Sequence, residues 1–166
     1  MYVYEDKDLE LIEASKLIGV KCKDVVVEEF ESIKQLGEKM IYHCIENGGL
    51  GLAAPQVGVN KNMFVWMNAD DSYQIICNPM MFPGKKKTNV IESCLSYPGE
   101  HYYLGRYKEV RVKFYFFKDG ELKNHSKNLH AERAFVFQHE FDHLQGETIA
   151  SKGLKLSKKE EDPVEE

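Results

Sequence analysis

The sequence predicts an α+β fold, and three observations predict it. Residues 26–47 place apolar side chains at helical spacing. A series of short alternating segments separated by turn signals follows, which reads as antiparallel and mixed sheets. Near the C-terminal end a second helical segment, 131–145, is apolar around much of its circumference and carries His139 and His143 one turn apart. A helix of that composition belongs in the interior, so the sheets should surround it as a central element.

In chain order, residues 1–25 carry little signal. In 26–47, Phe30, Ile33, Leu36, Met40, Ile41, Cys44 and Ile45 form one stripe with Glu and Lys between them, and Asn47-Gly48-Gly49 supplies a stop. The glycine-rich stretch 49–58 lacks the Gly-Lys-Ser/Thr of a phosphate loop and leads towards strands. Residues 63–67 and 73–77 flank the polar turn 68–72 as a hairpin, and Asn78-Pro79 is expected to end its second strand. Lys85, Lys86 and Lys87 read as a solvated turn, and 89–96 as partly extended. In 110–117, Val110, Val112, Phe114 and Phe116 share one face; Asp119-Gly120 is a hairpin turn and 122–129 the returning strand. Gly146 caps the second helix.

The chain of 166 residues reads as one domain over 1–156, followed by a mobile charged tail over 157–166. A net charge of −5 argues against a general grip on nucleic acid, so no nucleic-acid partner is expected. No apolar run is long enough for a membrane span, and the acidic N-terminus does not read as a secretory signal. The four cysteines, Cys22, Cys44, Cys77 and Cys94, form no CxxC pair and no disulfide framework, which fits a reducing, cytoplasmic setting. Cys44, on the first helix, reads as a small core residue, and His101, His125 and His130 as bystanders outside any motif.

His139-Glu140-Phe141-Asp142-His143 is the stretch that carries chemistry. Two imidazoles at i and i+4 share a helix face and can bind one divalent metal, with Glu140 beside them as a base. Burying two histidines and a carboxylate in so apolar a helix is costly unless they are paired or bind a metal. A third protein ligand is required. In a metzincin pattern Gly146 is in place, but Ile149 stands where the third His belongs. A distal Glu, as in thermolysin-like enzymes, would fall near Glu160 or Glu161 in the charged tail. Upstream, Cys94 offers a soft anionic donor.

Three stretches together resemble the peptide deformylase family, which carries GxGLAAPQ, EGCLS and QHExDHLxG motifs in that order. Here they correspond to residues 49–56, 92–96 and 138–146, with Asn78-Pro79 and Arg106 also at family-like positions. The resemblance covers about residues 10–150. It implies Cys94, His139 and His143 as metal ligands with water in the fourth position, and Glu140 as general base and then acid. It also implies that the Gln56 amide and the Leu95 backbone N–H stabilise the oxyanion. The implied reaction is hydrolysis of N-formyl-methionyl nascent peptides to formate and a free amine. The implied metal is Fe(II), with Zn, Ni or Co able to replace it.

By the same resemblance, Leu50, Val90, Phe135 and Val136 line a methionine pocket with the His139 ring as one wall. The backbones of Gly49 and Gly51 pair with the peptide as an added strand. Glu92 belongs to the substrate side and pairs with Arg106 to brace the Cys94 loop, while Asp142 orients a ligand or makes an ion pair. The chain departs from the pattern at Ser93, where the family has glycine, and at Glu132-Arg133-Ala134 on one pocket rim. Only residues 147–166 follow the last motif, a short ending like that of phage-encoded members. A monomer near the ribosome, without a C-terminal docking helix, is therefore expected. The alternatives are a metallopeptidase with a distal Glu, or an inactive relative that only binds formyl peptides.

Overall fold

The computed structural model describes residues 9–157. Two antiparallel sheets and two main helices build it. Helix α1 spans Phe30–Glu46 and helix α2 Ala131–Leu144, with a short α3 at Ile149–Lys152. The strands are β1 (Gly51–Ala53), β2 (Met63–Met67), β3 (Tyr73–Pro83), β4 (Lys87–Cys94), β5 (Tyr97–Tyr107), β6 (Glu109–Lys118), β7 (Glu121–His130) and β8 (Leu154–Lys155). One sheet has the order β1-β2-β3-β6-β7 and the other β4-β5-β8. All of these pairings are antiparallel; the parallel contact among the described residues is an isolated Lys23–Lys61 bridge, so neither sheet is mixed.

The five-stranded sheet separates two cores. On one face Phe64, Trp66, Ile76, Val112 and Phe114 pack against α2 through Ala134, Phe137 and Leu144. Phe64, Trp66 and Phe137 meet edge to face, with centroids 5.2 to 6.2 Å apart. Each such side chain contributes about 1.5–3 kcal/mol by burial. On the opposite face Met63, Val65, Ile75 and Cys77 pack against Ile33, Leu36, Met40 and Cys44 of α1. A Cβ on Gly37 would stand 2.5 Å from Ile75, so glycine is what lets α1 approach the sheet.

Several sequence expectations change in detail. The first helix begins at Phe30, after a 3-10 turn over Val27–Glu29 in which Glu29 accepts the Val26 N–H. The strand expected to stop at Asn78-Pro79 continues to Pro83 through a bulge. Asn78 takes φ 49°, and its amide bonds both backbone groups of Val25, replacing the lost ladder contacts. Strand β5 was not foreseen: Pro98, Gly99 and Gly105 break the alternation that would have marked it. The hairpin β6–β7 follows its expected register around Asp119-Gly120. The expected tail lies, except for Ser157, outside the described residues.

Candidate metal centre and substrate cleft

The site forms where the two sheets meet across α2. Cys94 closes β4 next to a bulge that displaces the register between Glu92 and Cys94. His139, Glu140 and His143 project from α2. One donor atom from each of Cys94, His139 and His143 lies within 4.8 Å of the others. The Cys94 Sγ is 3.5 Å from His143 Nε2. His139 Nδ1 is bonded to Glu92 Oε1 at 2.7 Å, which leaves its Nε2 as the ring nitrogen free to act as a ligand.

Glu92 is itself held. Arg106, fully buried on β5, binds it in a fork, Nε to Oε2 at 2.6 Å and Nη2 to Oε1 at 2.8 Å. The third arm of Arg106 reaches Asp142 Oδ2 at 2.5 Å, and Lys152 binds the other Asp142 oxygen at 3.0 Å. Asp142 thus acts in an ion pair and not on a histidine ring. Gln138 clasps both backbone groups of Tyr107 at 2.9 Å, fastening α2 to the end of β5.

Burial alone would raise the Glu92 carboxyl; the hydrogen bonds from Arg106 and His139 reverse this and hold it down at about 2. Burial likewise works against charge on His139, but its contacts with Cys94 and Glu92 prevail and hold its proton up to about 10. His143, buried beside it, is pushed well below the usual imidazole range by burial and by the neighbouring positive charge. Without a metal, the pair therefore carries its charge on His139. Burial pushes Glu140 up to about 7, with His139 opposing the shift. Glu140 Oε2 and His143 Nδ1 are buried without a hydrogen-bond partner among the described residues. A soft sulfur and two imidazoles converging beside an unpartnered carboxylate fit a divalent metal.

Gln56 is oriented by the backbone. Its Oε1 accepts the Ala53 N–H at 2.9 Å, so its NH2 turns to Ser96 Oγ at 3.0 Å and Cys94 Sγ at 3.5 Å. Leu95 begins the two-residue turn between β4 and β5. These groups open into a cleft of about 700 Å³ between the free edges of β1 and β4. Leu50, Phe135 and Val136 line it, as do Gly49, Gly51, Glu92, Leu95 and the catalytic-motif residues His139 and Glu140.

The structure corrects two expectations here, those for Gly49 and His101, and details the place of Val90. Val90 shares its β4 face with Glu92 and packs with Cys94, Tyr102, Leu104 and Ile149, while Ile91, on the opposite face, borders the open cleft. Gly49 has no spare backbone group for a peptide: its N–H goes to Cys44 O, and its carbonyl accepts Cys44 Sγ and Tyr73 Oη. Gly51 does. The Met67 N–H bonds Leu50 O, so alternation turns the Gly51 N–H and C=O to the unpaired side of β1. His101, read as a bystander, stands in the cleft wall.

Other expectations are refined. Ser93 does not take a positive φ, so it occupies the bulge without backbone strain and acts by filling part of the cleft. Arg133 lies over the Trp66 ring, 3.7 Å from its centroid, and donates to Met67 O, tying α2 to β2. Cys44 is a core thiol, raised by burial to about 11. Glu92 borders the cleft and spends its oxygens on Arg106 and His139, so it holds the His139 ring in place. The expected Glu92–Arg106 pair forms; the Arg106–Asp142, Gln138 and Ser96 contacts have no signature in the sequence and depend on how β5 meets α2.

Three donors, an adjacent buried carboxylate and an open cleft define the site of a metallohydrolase of the HExxH kind. A family model described as polypeptide deformylase matches residues 12–160. The peptide deformylase of Finegoldia magna is 34% identical over 146 residues, covering 85% of this chain and 87% of that protein. The crystal structure of the Thermotoga maritima peptide deformylase superposes with a TM-score of 0.79 at 28% identity, covering 88% of this chain and 97% of the other. A probable peptide deformylase from Synechococcus phage S-SSM7 superposes at 0.75 with 29% identity, over 87% and 99%. The chain belongs to the polypeptide deformylase family, metal-dependent hydrolases that remove the N-formyl group from nascent peptides. No described helix is long and apolar enough to cross a membrane.

Proposed function

We propose that Cys94, His139 and His143 hold one divalent metal ion and that Glu140 moves the proton as N-formyl-methionyl peptides are hydrolysed. The observation that carries this reading is the convergence of the three donors beside the unpartnered Glu140 Oε2. When bound, the metal supplies Lewis acidity and lowers the pKa of a water at the site. Glu140, raised by burial, accepts the proton of that water at Oε2 and delivers it to the amine nitrogen as the C–N bond breaks. The Gln56 NH2 and the Leu95 N–H stabilise the charge developing on the formyl oxygen. The outward backbone groups of Gly51 hold the peptide as an added strand, and Leu50, Phe135 and Val136 receive the methionine side chain.

A thiolate with two imidazoles suits Fe(II), Zn, Ni or Co. Fe(II) is the native metal in this reading, and oxidation of its Cys94 ligand would make the enzyme oxygen-sensitive. The catalytic domain is residues 1–156, and a reducing cytosol is supported by the four free thiols.

The test is formate release from formyl-Met-Ala-Ser by protein purified anaerobically with Fe(II). Release should disappear in Cys94→Ala together with the metal. In Glu140→Gln it should fall by roughly 10²- to 10⁴-fold with metal retained. Wild-type protein with stoichiometric metal and no release would overturn the assignment.

A further inference from the structure

The five-stranded sheet is covered unevenly. Helix α1 shields the face formed by β1, β2 and the first half of β3. Beyond Cys77 the same face is bare, and its residues stand in cross-strand rows. Phe82, Arg111 and Asn128 make one row; Met80, Lys113 and Ser126 the next; Tyr115 and Asn124 a third. All of these are exposed, including three large apolar side chains: Met80 at 53%, Phe82 at 44% and Tyr115 at 43%. Lys85 and Lys86 follow the end of β3, and the Lys108 N–H binds Lys86 O, which brings them to the Phe82 end of the face, whereas Lys87 lies over the Tyr107 ring, 4.6 Å from its centroid. Lys113 already lies over the Phe82 ring, 5.8 Å from its centroid. A groove of about 440 Å³ runs along the free edge of β3 beside Met80 and Phe82, with Lys21 and Asn62 on its wall. Two acids border this surface: Asp24 lines the groove and is held by Asn62, and Glu109 shares the β6 face of Arg111 opposite His130.

A cationic surface with exposed aromatic rings, on a chain whose net charge is −5, is a local reversal of the protein's overall field. The whole-chain charge that argues against a general grip on nucleic acid is an average, and the fold separates the charges. We propose that this bare sheet face binds single-stranded RNA. Arg111, Lys113, Lys85 and Lys86 would neutralise phosphates, and Phe82 and Tyr115 would stack bases, with the Asn and Ser side chains of β7 offering hydrogen bonds to base edges. Charge complementarity and the alternation of rings with cations favour this partner over an apolar protein surface. The rows lie about 7 Å apart along the strands, so the site takes only a few nucleotides and binding is weak and steeply salt-dependent.

Fluorescence anisotropy of a labelled oligouridylate, titrated with the metal-loaded full chain over a salt series, tests this. Four cations predict a slope of log affinity against log salt of about −2.8. Arg111→Glu with Lys113→Glu should flatten the slope by about 1.4 and weaken binding roughly tenfold or more. Phe82→Ala with Tyr115→Ala should weaken binding while leaving the slope unchanged. The control Lys16→Glu with Lys34→Glu, which changes net charge equally on another surface, should bind as wild type. Formate release and the melting temperature should be preserved in the charge variants. The proposal is overturned by absence of binding at low salt, by equal losses in the control, or by binding to anionic phospholipid vesicles but not to RNA.

Discussion

Gly51 and Glu140 should be energetically coupled. A Cβ at position 51 would stand 2.7 Å from Glu140 Oε1 and 2.9 Å from its Cδ and Cγ, so Gly51→Ala pushes directly on the proposed base. Gly51 has no positive φ, hence alanine adds no backbone strain and the cost is steric. Overpacking of this kind costs about 1–3 kcal/mol. Against it stands a gain of about 0.4–1 kcal/mol, because alanine restricts the unfolded chain. The net loss is therefore about 0–2.6 kcal/mol, and displacement of the carboxylate by a few tenths of an ångström to 1 Å lowers kcat/KM by up to about 10²-fold. The assay is a double-mutant cycle with Glu140→Ala, read by urea denaturation of metal-loaded protein. With the Glu140 side chain truncated the clash disappears, and Gly51→Ala should become neutral or stabilising by about 0.4–1 kcal/mol. An equal penalty for Gly51→Ala in both backgrounds would refute the contact as the reason for this glycine.

Three further outcomes follow from the same geometry. Arg106→Leu leaves the buried Glu92 and Asp142 carboxylates without their shared cation and should cost about 3–5 kcal/mol by chemical denaturation; a loss below about 1 kcal/mol would mean the network is not stabilising. Burial pushes the thiols of Cys22 and Cys44 up to about 11 and that of Cys77 to about 12, so at pH 8 each is almost wholly protonated. Iodoacetamide mapped by mass spectrometry on native, metal-stripped protein should accordingly label Cys94, which borders the cleft, well before the other three. Ser93→Gly should widen the cleft without changing backbone strain, lowering KM for peptides with bulky residues after methionine and leaving kcat for formyl-Met-Ala-Ser within about twofold; a uniform change in kcat across substrates would contradict that role.

The periodic elements were legible because their signals are local. The α1 stripe, the β6–β7 hairpin around Asp119-Gly120 and the i, i+4 histidines each lie within one element. Strand β5 was hidden because its pattern is broken by Pro98, Gly99 and Gly105, and its pairing partner β4 supplies the register. The extension of β3 was hidden because Asn78-Pro79 is an ordinary strand stop unless Asn78 finds Val25, far away in the chain. At the site, donor types were readable from the motifs, and the resemblance supplied Cys94 as their partner. The wiring was legible in part: the resemblance gave the Glu92–Arg106 pair, whereas that Arg106 joins Glu92 to Asp142 follows only from β5 lying between β4 and α2.

The division of the proposed metal donors between the β4–β5–β8 sheet and helix α2 bears on how the chain assembles. Cys94 belongs to a hairpin that forms from near neighbours, whereas its contact with His143 closes 49 residues of chain. The β4–β5 hairpin is thus a separate cooperative unit whose attachment to α2 is the costly, non-local step. That attachment desolvates Arg106 and both of its carboxylates at once, so partial docking gains little and the seam closes as an all-or-none event. An ion captured by Cys94 and the two histidines acts as a clasp on that seam, and its loss would loosen the junction between the halves while leaving each sheet intact.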